Sequence, residues 1–60
     1  MKNVTIIYTD GSSTTMHAEN ITICGGWVYV NKNSNNIFTV PVGLVSGIFV
    51  DGKEVNVYGA

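Results

Sequence analysis

Few side chains in this chain could do chemistry. The carboxylates are Asp10, Glu19, Asp51 and Glu54, and general acid-base work would need two of them converging in a pocket that displaces their pKa values. Asp10 and Asp51 each precede a glycine, where aspartate is favoured because its side chain bonds locally to the turn backbone, so both read as turn residues. Glu54 reads as a solvent-facing strand residue, and Glu19 lies ahead of a turn. His17 with Cys24 invites a nucleophile and base reading, yet a dyad needs hydrogen-bond contact plus a third group to orient the base, which nothing in the sequence marks. Cys24 is better read as a buried or half-buried small hydrophobe. One cysteine and one histidine cannot make a structural zinc site of about four ligands. Gly25-Gly26 lacks the following helix whose N-terminal amides would cradle a phosphate. The residues thus assign no catalytic group, no metal site and no cofactor, and point to a protein that works by contact.

Contact chemistry is better represented. Trp27 and Tyr29 stand two positions apart, the spacing that puts side chains on one face of a strand, and both types are enriched at the centres of interfaces. Thr22 would join them across a hairpin, with Phe49 and Tyr58 as further candidates for the same surface. The competing reading is that the two aromatics close the open end of a minimal core.

These residues must be positioned by strands. Threonine, valine, isoleucine and aromatics dominate, apolar positions alternate, and no window keeps the i, i+3, i+4, i+7 spacing of an amphipathic helix. Turn signals at Asp10-Gly11, Gly25-Gly26, Lys32 to Asn36, Pro41 to Gly43 and Asp51-Gly52 divide the chain into about six extended runs. The expected fold is all-β, a single domain over residues 1–60, built as a five- to six-stranded antiparallel meander or small open barrel.

Register follows from matching apolar faces. A bare two-residue turn at Asp10-Gly11 would set Val4, Ile6 and Tyr8 against His17, Thr15 and Ser13. A three-residue loop, Asp10-Gly11-Ser12 with Gly11 left-handed, sets them against Ala18, Met16 and Thr14 and is preferred. Thr5, Ile7, Thr9, Ser13, Thr15 and His17 then share the outer face. A two-residue turn at Gly25-Gly26 pairs Ile23 with Val28 and Ile21 with Val30, sending Thr22, Cys24, Trp27 and Tyr29 to the other side. The asparagine-rich run Asn31 to Asn36 predicts a mobile loop, Phe38 and Val40 resume the inward pattern, and Pro41 ends a strand or marks an edge. Around Asp51-Gly52, a two-residue turn pairs Ile48 with Val55 and a three-residue loop pairs Phe49 with Val55, and the sequence does not choose.

The order of features resembles the bent five-strand layout of Sm-like and SH3-like small barrels. It is carried by Val4 to Gly11, a second strand, a strand ending in a polar loop, then Phe38-Thr39-Val40-Pro41 with Val42 to Ser46 before Gly47-Ile48-Phe49-Val50. The Sm-like resemblance implies rings closed by strand pairing between subunits, with RNA as ligand in members of the bacterial RNA-chaperone type. This chain departs from that pattern in having no arginine and no Tyr-Lys-His-like triplet after Val40. In size and composition it also resembles the compact β-rich accessory proteins of bacteriophages and prophages, which implies an inhibitor or host-modulating role.

Composition bounds the rest. Of 60 residues 45% are hydrophobic and 12% charged, so the chain should fold, yet a core this small is marginal without a staple. The single cysteine excludes an internal disulfide, which leaves self-association as the expected remedy. A net charge of −1 with three scattered lysines, Lys2, Lys32 and Lys53, lacks the basic stripe of a nucleic-acid binder. The apolar stretch at the start is interrupted too soon for a signal peptide or a span, so a cytoplasmic protein without membrane association is expected, and Asn3-Val4-Thr5 and Asn20-Ile21-Thr22 read as strand residues. The expected function is that of a non-enzymatic, homo-oligomeric interaction protein that binds another macromolecule. The other readings are a nucleic-acid-binding ring and a nucleotide or small-molecule sequestering protein with its pocket between subunits.

Overall fold

The computed structural model describes residues 1–55 of the chain. Seven strands and one short 3-10 turn make up the described part: β1 (Lys2–Tyr8), β2 (Ser13–Ala18), β3 (Asn20–Cys24), β4 (Trp27–Asn33), β5 (Asn36–Pro41), the turn Val42–Leu44, β6 (Val45–Val50) and β7 (Lys53–Val55). They form two antiparallel sheets, β2-β1-β6-β7 and β3-β4-β5, and do not close into a barrel. The expected all-β meander is what folds, with one more strand than six because the second extended run bends at Glu19. Inward positions are even-numbered in β2, ending at Ala18, and odd-numbered in β3, at Ile21 and Ile23. Such a slip of one residue is what a bulge does to a strand, turning it from one sheet into the other.

One cluster joins the inner faces of both sheets. Val4, Ile6, Ala18, Val28, Val30, Val40, Val45 and Ile48 are buried, ringed by partly buried Tyr8, Met16, Ile21, Ile23, Phe38, Val42, Val50 and Val55. Ile6 and Ile48, the two largest fully buried side chains, lie opposite each other on β1 and β6. No buried polar or charged residue occurs among the described residues, so the core is held by apolar burial and a satisfied backbone.

The first hairpin differs from expectation in where its loop sits. Its three loop residues are Thr9-Asp10-Gly11, because β1 and β2 pair Val4 with Met16 and Ile6 with Thr14, and the Tyr8 amide bonds to the Ser12 carbonyl at 2.8 Å. A type I turn followed by a left-handed residue needs its glycine last, and Gly11 (φ 93) takes that place, which moves the loop one residue earlier than Asp10-Gly11-Ser12. The shift is even in register, so the apolar face is kept: Thr5 and Thr15 still face outward as a pair, hydroxyl to hydroxyl at 3.3 Å, whereas Thr9 belongs to the loop.

Asp10 stabilises this loop. Its carboxylate accepts bonds from the Ser12 hydroxyl (2.6 Å) and the Ser12 amide (2.8 Å), and these hold its pKa below the ordinary carboxylate value. A depressed folded-state pKa contributes stability above the unfolded-state pKa and loses it as pH falls through the folded value. Asp10→Ala should therefore lower the melting temperature at neutral pH, and the gap to the native chain should close in acid. A gap independent of pH, in thermal melts followed by circular dichroism, would refute this role.

Two other turns are two-residue loops with left-handed backbone at both positions. Gly25 (φ 60) and Gly26 (φ 83) form the left-handed pair that a type I′ hairpin demands, giving the expected Ile23 to Val28 and Ile21 to Val30 pairing. Asp51 (φ 52) and Gly52 (φ 82) do the same, and Ile48 pairs with Val55 while Phe49 pairs with Glu54. Asp51 also ties the ends of the fold together: its carboxylate accepts from the Asn3 amide at 2.9 Å, and its own amide donates to the Asn3 carbonyl at 2.8 Å.

The asparagine-rich run is strand rather than loop for most of its length. β4 continues to Asn33 and β5 starts at Asn36, with a register shift between Asn31 and Asn33. Side-chain bonds replace what asparagine lacks in strand propensity: Asn31 donates to Asn20 across β3 and β4, and Asn33 accepts from the Asn35 amide at 2.9 Å to close the turn. Pro41 ends β5 as anticipated, and the Val42–Leu44 turn is fastened at both ends, Val42 N–H to the Gly26 carbonyl at 2.9 Å and Leu44 carbonyl to the Thr9 amide at 3.0 Å.

Candidate functional site

The outer face of β3-β4-β5 is where the aromatic candidates meet. Strand alternation and the observed register set three rows across it: Cys24, Trp27 and Pro41; Thr22, Tyr29 and Thr39; Asn20, Asn31 and Ile37. Tyr29 is at the centre, with Trp27 next to it on the same side of β4. Trp27 is 44% exposed and Tyr29 37%, so both point away from the core and neither is a buried core aromatic. Ile37, 61% exposed at the β5 edge, extends the apolar surface. None of the nine positions carries a charge. The polar groups present are the Thr22 and Thr39 hydroxyls, the Tyr29 phenol, the Cys24 thiol and the Asn20–Asn31 amide pair, whose bond to each other leaves less of it to offer a ligand.

This arrangement suits a broad, shallow contact. A sheet face holds side chains at fixed spacing, and aromatic rings on it present large rigid area with few rotatable bonds. Apolar patches rimmed by polar residues mark interaction sites on small proteins. Local sequence explains the presentation: the tight Gly25-Gly26 turn fixes which residues of β4 face outward, and Val28 and Val30 occupy the inward positions between them.

Other sequence-predicted residues fall elsewhere. Thr22 lies in the aromatic face as expected, directly opposite Tyr29. Cys24 is exposed rather than buried or half-buried, because the type I′ turn puts it opposite Trp27 on the outward side. Phe49 does not join Trp27 and Tyr29: it belongs to the outer face of the other sheet, half-buried between Thr5 and Glu54. Its ring covers Gly47, where an added Cβ would meet Phe49 Cε1 at 4.0 Å. The two-residue turn at Asp51-Gly52 decides this, since it sends Ile48 and Val50 inward and Phe49 out. Tyr58 lies outside the described residues.

The two residues considered as a dyad are separated by the bend, His17 on β2 in one sheet and Cys24 on β3 in the other. Among the described residues no three of His, Cys, Asp and Glu gather around a common point that could hold a metal ion. No helix among them is long and apolar enough to cross a membrane. Sequence reasoning missed Ile37 and Thr39 as members of the aromatic face. The signal was available in the alternation of β5, where Phe38 and Val40 point inward and their neighbours must point out.

Comparison with family models, with curated proteins and with solved structures finds nothing that matches this chain.

Proposed function

We propose that this protein acts by binding another protein through the outer face of β3-β4-β5, with Tyr29 and Trp27 as anchors. One observation carries the reading: an uncharged three-by-three lattice of outward side chains is centred on two exposed aromatics. Depletion of charge with enrichment of tryptophan and tyrosine is the composition of an interface centre. A nucleic-acid ligand is disfavoured by the same face, which offers stacking surface but no lysine to meet phosphates.

Tyr29→Lys tests this. A charge at the centre of the lattice would be buried unpaired on docking, at a cost of several kcal/mol, while exposed Tyr29 is replaceable without opening the core. Tagged native chain should retain a specific partner from lysate of its source cells, and folded Tyr29→Lys should retain none of it. Equal recovery by both proteins would refute the assignment of this face.

A further inference from the structure

The geometry points to a two-fold homodimer in which β5 pairs antiparallel with β5 of a second copy, making one six-stranded sheet with the two aromatic faces on the same side.

The phase of the β4–β5 ladder is fixed by the Val42 amide, which bonds to the Gly26 carbonyl at 2.9 Å. In the observed register this is the pair next to Trp27 and Pro41, and hydrogen-bonded pairs alternate along an antiparallel ladder. Val28 with Val40 and Val30 with Phe38 therefore exchange bonds. Ile37 and Thr39 turn their N–H and C=O groups away from β4, toward an edge that carries no neighbouring strand among the described residues. The Asn31 carbonyl agrees with this phase, since it accepts from the Glu19 amide on the opposite, β3 side of β4.

That edge is poorly guarded. Natural sheets protect edges with lysine, proline, bulges or very short strands. β7, the edge of the other sheet, carries two charged side chains among its described residues, Lys53 and Glu54. β5 has six residues and no charge, and its only guard is Pro41 at its end.

Pro41 also selects the register. With the two-fold axis at Phe38, Ile37 of each copy exchanges two bonds with Thr39 of the other, four in all. An axis at Thr39 would set Ile37 against Pro41, which has no N–H to give. An axis at Ile37 would set Thr39 against Asn35, whose amide already donates to the Asn33 side chain at 2.9 Å. Only the Phe38 axis satisfies both outward residues. It also brings together two half-buried Phe38 rings as a non-hydrogen-bonded cross-strand pair, the closer of the two pair types, and places Ile37 beside Thr39 of the second copy. An uncharged strand meets its own copy without like-charge repulsion, which makes a second copy the fitting occupant. Ring closure through β6 is less well served, because β7 already pairs with Ile48–Val50.

Sedimentation velocity of the full chain, from low micromolar to submillimolar, provides the test, with amide exchange by NMR as the second readout. The native chain should reach a dimer, and the Ile37 and Thr39 amides should become protected as concentration rises, while Phe38 and Val40 amides are protected throughout. Thr39→Pro removes an outward N–H that β4 does not use, and should weaken dimerisation by about tenfold or more, since two bonds per dimer are lost. Ile37→Lys, at a 61% exposed position, should do the same by bringing like charges together near the axis, and serves if the proline variant fails to fold. A monomer throughout, a ring larger than two, or a dimer indifferent to Ile37→Lys would each overturn the proposal.

Discussion

Ile48→Ala is expected to abolish the cooperative thermal unfolding of this protein, leaving a chain without a defined melting transition at room temperature. Ile48 is fully buried and sits opposite Ile6 on β1 and Val55 on β7, so its side chain fills the middle of the larger sheet's inner face. Truncating a buried isoleucine costs about 2–5 kcal/mol through lost transfer energy and the cavity left behind. A domain of this length has roughly 3–9 kcal/mol in total, at about 0.05–0.15 kcal/mol per residue. The substitution therefore removes most of the margin. Ile48→Val deletes one methylene and should cost only about 0.5–1.5 kcal/mol, lowering the melting temperature by several degrees with the transition still sharp. Melts followed by circular dichroism separate the two. A native-like transition in Ile48→Ala would mean that the two sheets can collapse onto the space it vacates.

Trp27→Ala should behave in the opposite way, retaining a folded domain and losing its partner. Trp27 is 44% exposed and lies outside the buried cluster, so its removal opens no internal cavity. A central interface aromatic costs at least about 2 kcal/mol of binding when truncated, which is roughly a thirtyfold rise in Kd. Titration of the captured partner against native and variant chains, with circular dichroism to confirm folding, reads both effects. An unfolded Trp27→Ala would return the residue to the core, and unchanged affinity in a folded variant would move the contact surface elsewhere.

Much of the fold is legible in strand alternation. Val28 and Val30 face inward and Trp27 and Tyr29 outward because the Gly25-Gly26 turn leaves one register. Less legible was anything set by competing local bonds. Asp10 and Ser12 form a closed set of side-chain and backbone bonds that belongs to the loop ending at Gly11, and apolar matching alone accepted a neighbouring register with the same faces. Asn31 looked like a loop residue by type, yet its amide finds Asn20 across the ladder, a contact between positions whose pairing depends on the hairpin forming first. Phe49 was harder still, since its face follows from a turn length on which Asp51-Gly52 is silent. The bend at Glu19 was present in the sequence as a slip in parity between Ala18 and Ile21, visible once both hairpins are written in register together.

The bond between Asn3 and Asp51 joins residues 48 apart, and the same seam runs along β1 and β6 from Val4 with Val50 to Tyr8 with Val45. Each of the four hairpins among the described strands needs only a few residues of chain to close, but this seam waits for the 48 positions between Asn3 and Asp51. Loop-closure entropy must be met before its contacts return anything, which marks the seam as the slow event in folding and the hairpins as the fast ones. During synthesis the consequence is sharper still. The β1-β2 hairpin emerges early with the bonding edge of Asn3, Thr5 and Ile7 unmatched, and it keeps that edge open to any extended neighbour until β6 leaves the ribosome.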